Sequence, residues 1–140
     1  MQGYLATLDE IYKTIEEAKQ YANLQEFTEQ LTEAVDTLKL TTQAVLTAMS
    51  TQNIDLALAN SVKYLELFGH VIIAWLWLKQ GIVATKALAE QPHESDVNFY
   101  QGKLQALQYF YHFELPQIYL WSSILSEIDS TCYEMKNDWF

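Results

Sequence analysis

Apolar residues recur along the chain at intervals of three and four, the spacing that gathers them on one face of an α-helix. Leu5, Leu8, Tyr12, Ile15 and Ala22 form a first stripe and predict a helix over 3–22. A second stripe starts in a new phase with Leu24, Phe27, Leu31, Ala34, Leu38, Thr41, Val45 and Ala48, predicting a helix over 24–49. Continuing the first stripe would need apolar side chains where Glu26 and Glu29 stand, so a tight turn is expected near Asn23. The polar run Ser50-Thr51-Gln52-Asn53 reads as a short loop. Asn53 then caps a third helix over 54–89, with Asp55 in its electropositive first turn. That helix would be roughly 50 Å long at 1.5 Å per residue, so a bend is expected near Gly69 or Gly81. After the loop Glu90–Ser95, Ser95 or Asp96 caps a fourth helix over 96–129, whose stripe is Leu104, Leu107, Tyr111, Ile118 and Leu125. Pro116 lies inside it, cannot donate to the carbonyl of His112, and should kink it. The tail from Ser130 to Phe140 has no period.

No alternating segment suggests a strand, and there are no internal repeats. Four helices with short connections predict an all-α, up-down-up-down four-helix bundle with a long third helix and a proline-kinked fourth. The 140 residues suit one domain, 1–140. Leu31, Leu38, Leu65, Ile72, Leu104, Leu107 and Ile118 are its expected core.

Composition then removes several functions. Eight lysines, no arginine and 18 acids leave a net charge of −10. A nucleic-acid reader needs a basic stripe to displace counterions from phosphate, and an anionic membrane surface is disfavoured on the same ground. Cys132 is the sole cysteine, so neither an intrachain disulfide nor a CxxC pair is possible. A lone thiol suits a reducing compartment, and a cytoplasmic location is expected. Met1-Gln2-Gly3-Tyr4 does not open a signal sequence. The longest charge-free apolar stretch, Leu67–Leu78, is 12 residues, short of the roughly 20 that span a bilayer.

Candidate chemistry is sparse. Helical bundles that hold di-metal centres use paired Glu-x-x-His motifs, but the one such spacing here, Glu90 with His93, encloses Pro92 in a loop. Glu66 and His70 stand four apart on the third helix, where a glutamate could orient a histidine as in an acid–base system. The stronger reading is a histidine satisfied by its own helix. His112 and Glu114 adjoin Pro116 and read as structural. No nucleophile motif and no glycine-rich phosphate loop occur. The residues therefore predict no catalytic, cofactor-binding or metal-binding group in this chain.

The informative segment is Leu65–Lys79, in which every residue from Val71 to Leu78 is apolar. A helix facing one core is apolar over a stripe and polar elsewhere. In a four-helix bundle no helix is central, so one flank of this segment should meet a partner. Trp75, Trp77, Phe68 and His70 are the candidate interface residues, and one of the two tryptophans should point away from the core. Tyr109-Phe110-Tyr111-His112-Phe113 shows the same aromatic excess.

These segments carry a family resemblance. Asn60-Ser61-Val62-Lys63-Tyr64-Leu65-Glu66-Leu67-Phe68-Gly69-His70-Val71 with Ala74-Trp75-Leu76-Trp77-Leu78 forms one hallmark stretch. Phe99-Tyr100-Gln101-Gly102-Lys103-Leu104 with Tyr109-Phe110-Tyr111 and Leu115-Pro116 forms a second, in the right order and at the right separation. Together they resemble the C-terminal helical domain appended to large FAD-dependent acyl-CoA dehydrogenases, over about Leu31 to Ile128. The resemblance implies a parent flavoprotein that oxidises acyl-CoA thioesters. Its FAD, catalytic glutamate and acyl-CoA cleft lie in domains upstream, so the chain would be a fragment of a larger enzyme. It implies an accessory and assembly role, non-catalytic by itself, with the upstream catalytic domains as partners. Cut loose from them, the domain should cover its apolar Val71–Leu78 flank with a copy of itself, so a homodimer is expected. No catalytic or flavin-binding residue is carried over. The alternative is a stand-alone helical interaction or dimerisation module.

Overall fold

The computed structural model describes residues 2–51 and 53–140, so Met1 of the amino-terminal motif and Gln52 of the expected loop lie outside the described residues. The described residues are all-helical, with no strand among them. In chain order they form α1 (Gln2–Ala18), a 3-10 turn (Ala22–Leu24), α2 (Gln25–Thr51) and α3 (Ile54–Leu58). There follow α4 (Ser61–Ala89), α5 (Glu94–Tyr109), a π turn (Phe110–Glu114) and α6 (Gln117–Ser126). The tail holds α7 (Thr131–Glu134) and a second 3-10 turn (Asn137–Trp139).

The all-α expectation holds, but the division into four helices does not. The third expected helix is two, interrupted at Ala59-Asn60, and its second piece runs as unbroken helix through Gly69 and Gly81. Asn53 does cap the first piece, its side chain accepting from the Asp55 N–H at 2.8 Å. Asn60 ends that piece because its amide bonds elsewhere, donating to the Asp129 carbonyl at 2.9 Å. Such side chains offer the backbone an alternative to helix continuation. Gly81 sits inside α4 where a Cβ would lie 2.5 Å from Leu107 Cδ1, so glycine is what admits α5 at this distance.

The fourth expected helix is also divided, and the break begins ahead of the proline. The Leu115 N–H donates to the Phe110 carbonyl, five residues back, at 2.9 Å. This π turn absorbs the missing donor of Pro116, and α6 restarts at Gln117, whose Nε2 donates to the Phe113 carbonyl at 3.3 Å. The turn also drives Tyr111 inward, where its hydroxyl donates to the Ala74 carbonyl at 2.6 Å.

Of the expected core, Leu31, Leu38, Leu107 and Ile118 are fully buried, while Ile72 and Leu104 are half-buried. Leu65 is 69% exposed and is not core. The reason lies in the packing of α4, which meets α1, α2, α5 and α6. By length and composition α4 could cross a membrane, with a mean hydropathy of 1.5 over its most apolar window. A core helix passes the same test, and here four other helices pack on it.

Candidate docking face

At about 100° per residue, α4 carries two apolar stripes on opposite sides. Leu67, Val71, Ala74 and Leu78 face inward and are all 0% exposed. Val62, Leu65, Ile73, Leu76 and Val83 face outward and are 41–69% exposed. Gly69 lies in the same outward row, and a Cβ added there would meet nothing within 4 Å. The outer row is thus open along its length.

Neither tryptophan is the outward residue. Trp75 and Trp77 lie on either side of Leu76, and both are half-buried against the core. Trp75 turns to α1 and donates from Nε1 to Thr14 Oγ1 at 2.7 Å. Trp77 turns to α5, where Lys103 Nζ stands 5.8 Å from its ring centroid. The expectation that one indole points away failed because residues two apart straddle an outward position about 100° from each. The two rings form the shoulders of the face, and Leu76 forms its ridge.

The structure places the other two interface candidates lower on the same shoulders. Phe68 is half-buried, its ring 6.2 Å from Tyr4 and 6.3 Å from Tyr64. His70 faces α6 and the π turn, standing edge-on to Trp121 at 4.7 Å between ring centroids. Its Nδ1 is 3.0 Å from the carbonyl of Glu66, not from the Glu66 carboxylate, which pairs with Lys63 at 3.3 Å. His70 Nε2 is 3.7 Å from Glu114 Oε2, beyond hydrogen-bond reach. His112 is apart from all of these, its Nε2 2.7 Å from Glu26 Oε1 across to α2. These contacts satisfy the histidines structurally. Among the described residues no three His, Cys, Asp or Glu side chains converge as a metal site.

Charge divides the molecule. α1 and α2 carry eight acids (Asp9, Glu10, Glu16, Glu17, Glu26, Glu29, Glu33 and Asp36) against Lys13 and Lys39. α4 carries Lys63, Lys79 and Lys86 against Glu66 alone. Lys86 bonds Glu17 at 2.9 Å, which holds its ammonium above the usual lysine value. Lys79 and Lys103 enter no ion pair among the described residues and lie instead over rings, Lys79 Nζ 4.9 Å from Trp75 and Lys103 Nζ 5.3 Å from Phe99. Between them, Val83, Ala84, Phe99 and Tyr100 line an apolar cleft of about 380 Å³ at the junction of α4 and α5.

Three tyrosine titrations shift through packing. Burial pushes the Tyr111 phenol far above its ordinary value, and burial also raises Tyr64. Tyr119 rises through burial and the nearby Glu33 charge.

The ridge residues Val62, Leu65, Ile73, Leu76 and Val83 were missed by sequence reasoning, which looked to the aromatics. Their three- and four-residue spacing was visible, but so was that of the inner row. What the arrangement can do is bind, through an apolar ridge with aromatic shoulders and a cationic cleft at one end. The molecule is therefore an all-helical domain built around a central helix with an uncovered face.

A family model described as acetyl-CoA dehydrogenase C-terminal like matches residues 7–136. The chain belongs to that family. No curated protein matches the sequence closely enough to report.

Proposed function

We propose that this chain is an accessory and assembly domain of an FAD-dependent acyl-CoA dehydrogenase and has no catalytic activity of its own. The observation that carries this reading is the apolar ridge of α4, uncovered in a domain of this family. An apolar face that size on a helix with four neighbours already packed is suited to association. In this reading the FAD, the catalytic base and the acyl-CoA cleft belong to the parent enzyme's catalytic domains, which are the domain's partners in the cytoplasm.

Immunoprecipitation of the endogenous protein tests this. The expected precipitate contains FAD and reduces a dye electron acceptor when supplied with an acyl-CoA, while the isolated chain does neither. A flavin-free precipitate with no acyl-CoA-dependent reduction would overturn the reading and favour a stand-alone interaction module.

A further inference from the structure

The assembly reading uses the ridge of α4 and leaves the α4–α5 cleft without a role. Ridge and cleft share a single residue, Val83. The cleft is built from two unlike materials. Ala84, 1% exposed, forms its floor, and Val83 of α4 with Phe99 and Tyr100 of α5 form apolar walls. The two rings stand T-shaped at 5.4 Å. Val83 and Phe99 are 60% and 59% exposed, so apolar surface here faces water. A volume of about 380 Å³ lies within the range of small-molecule sites, roughly 300–1,000 Å³.

The second material is positive charge. Lys79 from α4 and Lys103 from α5 reach the same cleft, and no carboxylate lines it. Elsewhere the chain neutralises its lysines. Lys13, Lys19, Lys63 and Lys86 pair with glutamates, and Lys39 donates to the Tyr12 hydroxyl. With 18 acids against eight lysines, two ammonium groups left without a carboxylate at one cleft are a local exception. Each is held over a ring, Lys79 over Trp75 and Lys103 over Phe99. That attraction anchors the charges beside the cleft, while their methylene stems extend its apolar wall.

An occupant has to answer both materials. A neutral apolar molecule would desolvate the ammonium groups without pairing them. A nucleic acid or polyphosphate needs a longer cationic track than two lysines and leaves the apolar floor unmatched. A carboxylate on an aliphatic chain meets both demands. Its two oxygens accept from the two ammonium groups, and its chain covers the methyl groups of Val83 and Ala84 and the Phe99 ring. We propose that the α4–α5 cleft is a binding site for an aliphatic carboxylate, its head met by Lys79 and Lys103. The site goes beyond the assembly role and does not depend on it.

Calorimetric titration of the purified chain with sodium decanoate, below the concentration at which decanoate aggregates, tests this. Acetate carries the head without the chain, and decyltrimethylammonium carries the chain with the opposite charge. Decanoate should saturate at one per chain and move the Ala84 methyl signal in a nuclear magnetic resonance spectrum, and the other two should do neither. Lys79→Gln with Lys103→Gln should raise the decanoate dissociation constant about tenfold, the scale of two partly exposed charge pairs. Val83→Asp sets a like charge in the cleft at an exposed position and should abolish binding with the circular dichroism unchanged. If that variant loses its helical signal, the lysine variant decides. Absence of saturable decanoate binding, equal binding of acetate or decyltrimethylammonium, or undiminished binding in a folded variant would each overturn the proposal. Failed decanoate binding removes only this site, and a flavin-free precipitate removes only the dehydrogenase reading.

Discussion

Leu76 and Leu78 are two residues apart on one helix, yet Leu76 is 44% exposed and Leu78 is 0% exposed. The two faces of α4 are built from the same residue types, and only their neighbours differ. Inward, Leu67, Val71, Ala74 and Leu78 meet the rest of the core. Outward, the ridge residues remain 41–69% exposed. Apolar composition thus measures the capacity to be buried, and the fold assigns which half of that capacity is used internally. What is left over is the part available for association.

That contrast can be broken at four points, taken from the largest effect down. Leu78→Ala should destabilise the chain by about 2–5 kcal/mol, because the inner face loses both transfer energy and packing. Leu65→Ala, on the outer ridge, should stay within about 0.5 kcal/mol. Urea unfolding of the two, at a dilution that keeps the chain monomeric, compares them; equal losses would mean that the ridge is core.

The glycines sharpen the same difference. Gly81→Ala must displace the fully buried Leu107, at a cost of roughly 1–3 kcal/mol. Gly69→Ala meets open space and should stabilise the helix interior by roughly 0.5–1 kcal/mol. Opposite signs in the thermal midpoints of the two variants are the expected result.

Tyr111→Phe removes a buried donor from the Ala74 carbonyl and should cost about 0.5–1.5 kcal/mol at neutral pH. The effect has a pH signature. Burial raises the folded-state pKa of Tyr111 above its unfolded value, so the native state keeps a proton that the unfolded state releases. Its contribution is complete below the ordinary tyrosine value near 10 and is lost as pH rises beyond it. Stability measured from neutrality to above pH 10 should therefore fall more steeply in the parent chain than in the variant.

The smallest effect belongs to the rim. Lys86→Ala breaks a solvent-exposed pair with Glu17 and should shift the thermal midpoint only slightly, by an amount that diminishes with salt. A larger loss would place α1 and α4 under stronger electrostatic control than their packing suggests.

Much of this was legible before any coordinates. The 3.6-residue period marked every long helix, and the change of phase at Glu26 and Glu29 located the turn after α1. Asn53 announced its own cap through its side-chain chemistry. The interruptions were less legible. Pro116 signalled a disturbance, but the π turn starts at Phe110, where Tyr111 reaches the Ala74 carbonyl on another helix. Asn60 breaks the third expected helix through a bond to a carbonyl 69 residues away. Neither partner is visible within a local window. The orientation of the two indoles was not legible: Thr14 and Lys103, distant in sequence, draw Trp75 and Trp77 to the sides of α4 and leave Leu76 outermost.

The sequence by itself determined the all-helical class, the helix registers and the surplus of apolar surface on α4. These are local or additive properties, set by spacing, capping chemistry and composition. Only the tertiary structure decided which stripe of α4 is core, where the long helices break and which residues form the ridge. Burial depends on what arrives from elsewhere in the chain: Leu65 and Leu67 are chemically identical, but packing covers Leu67 and leaves Leu65 open.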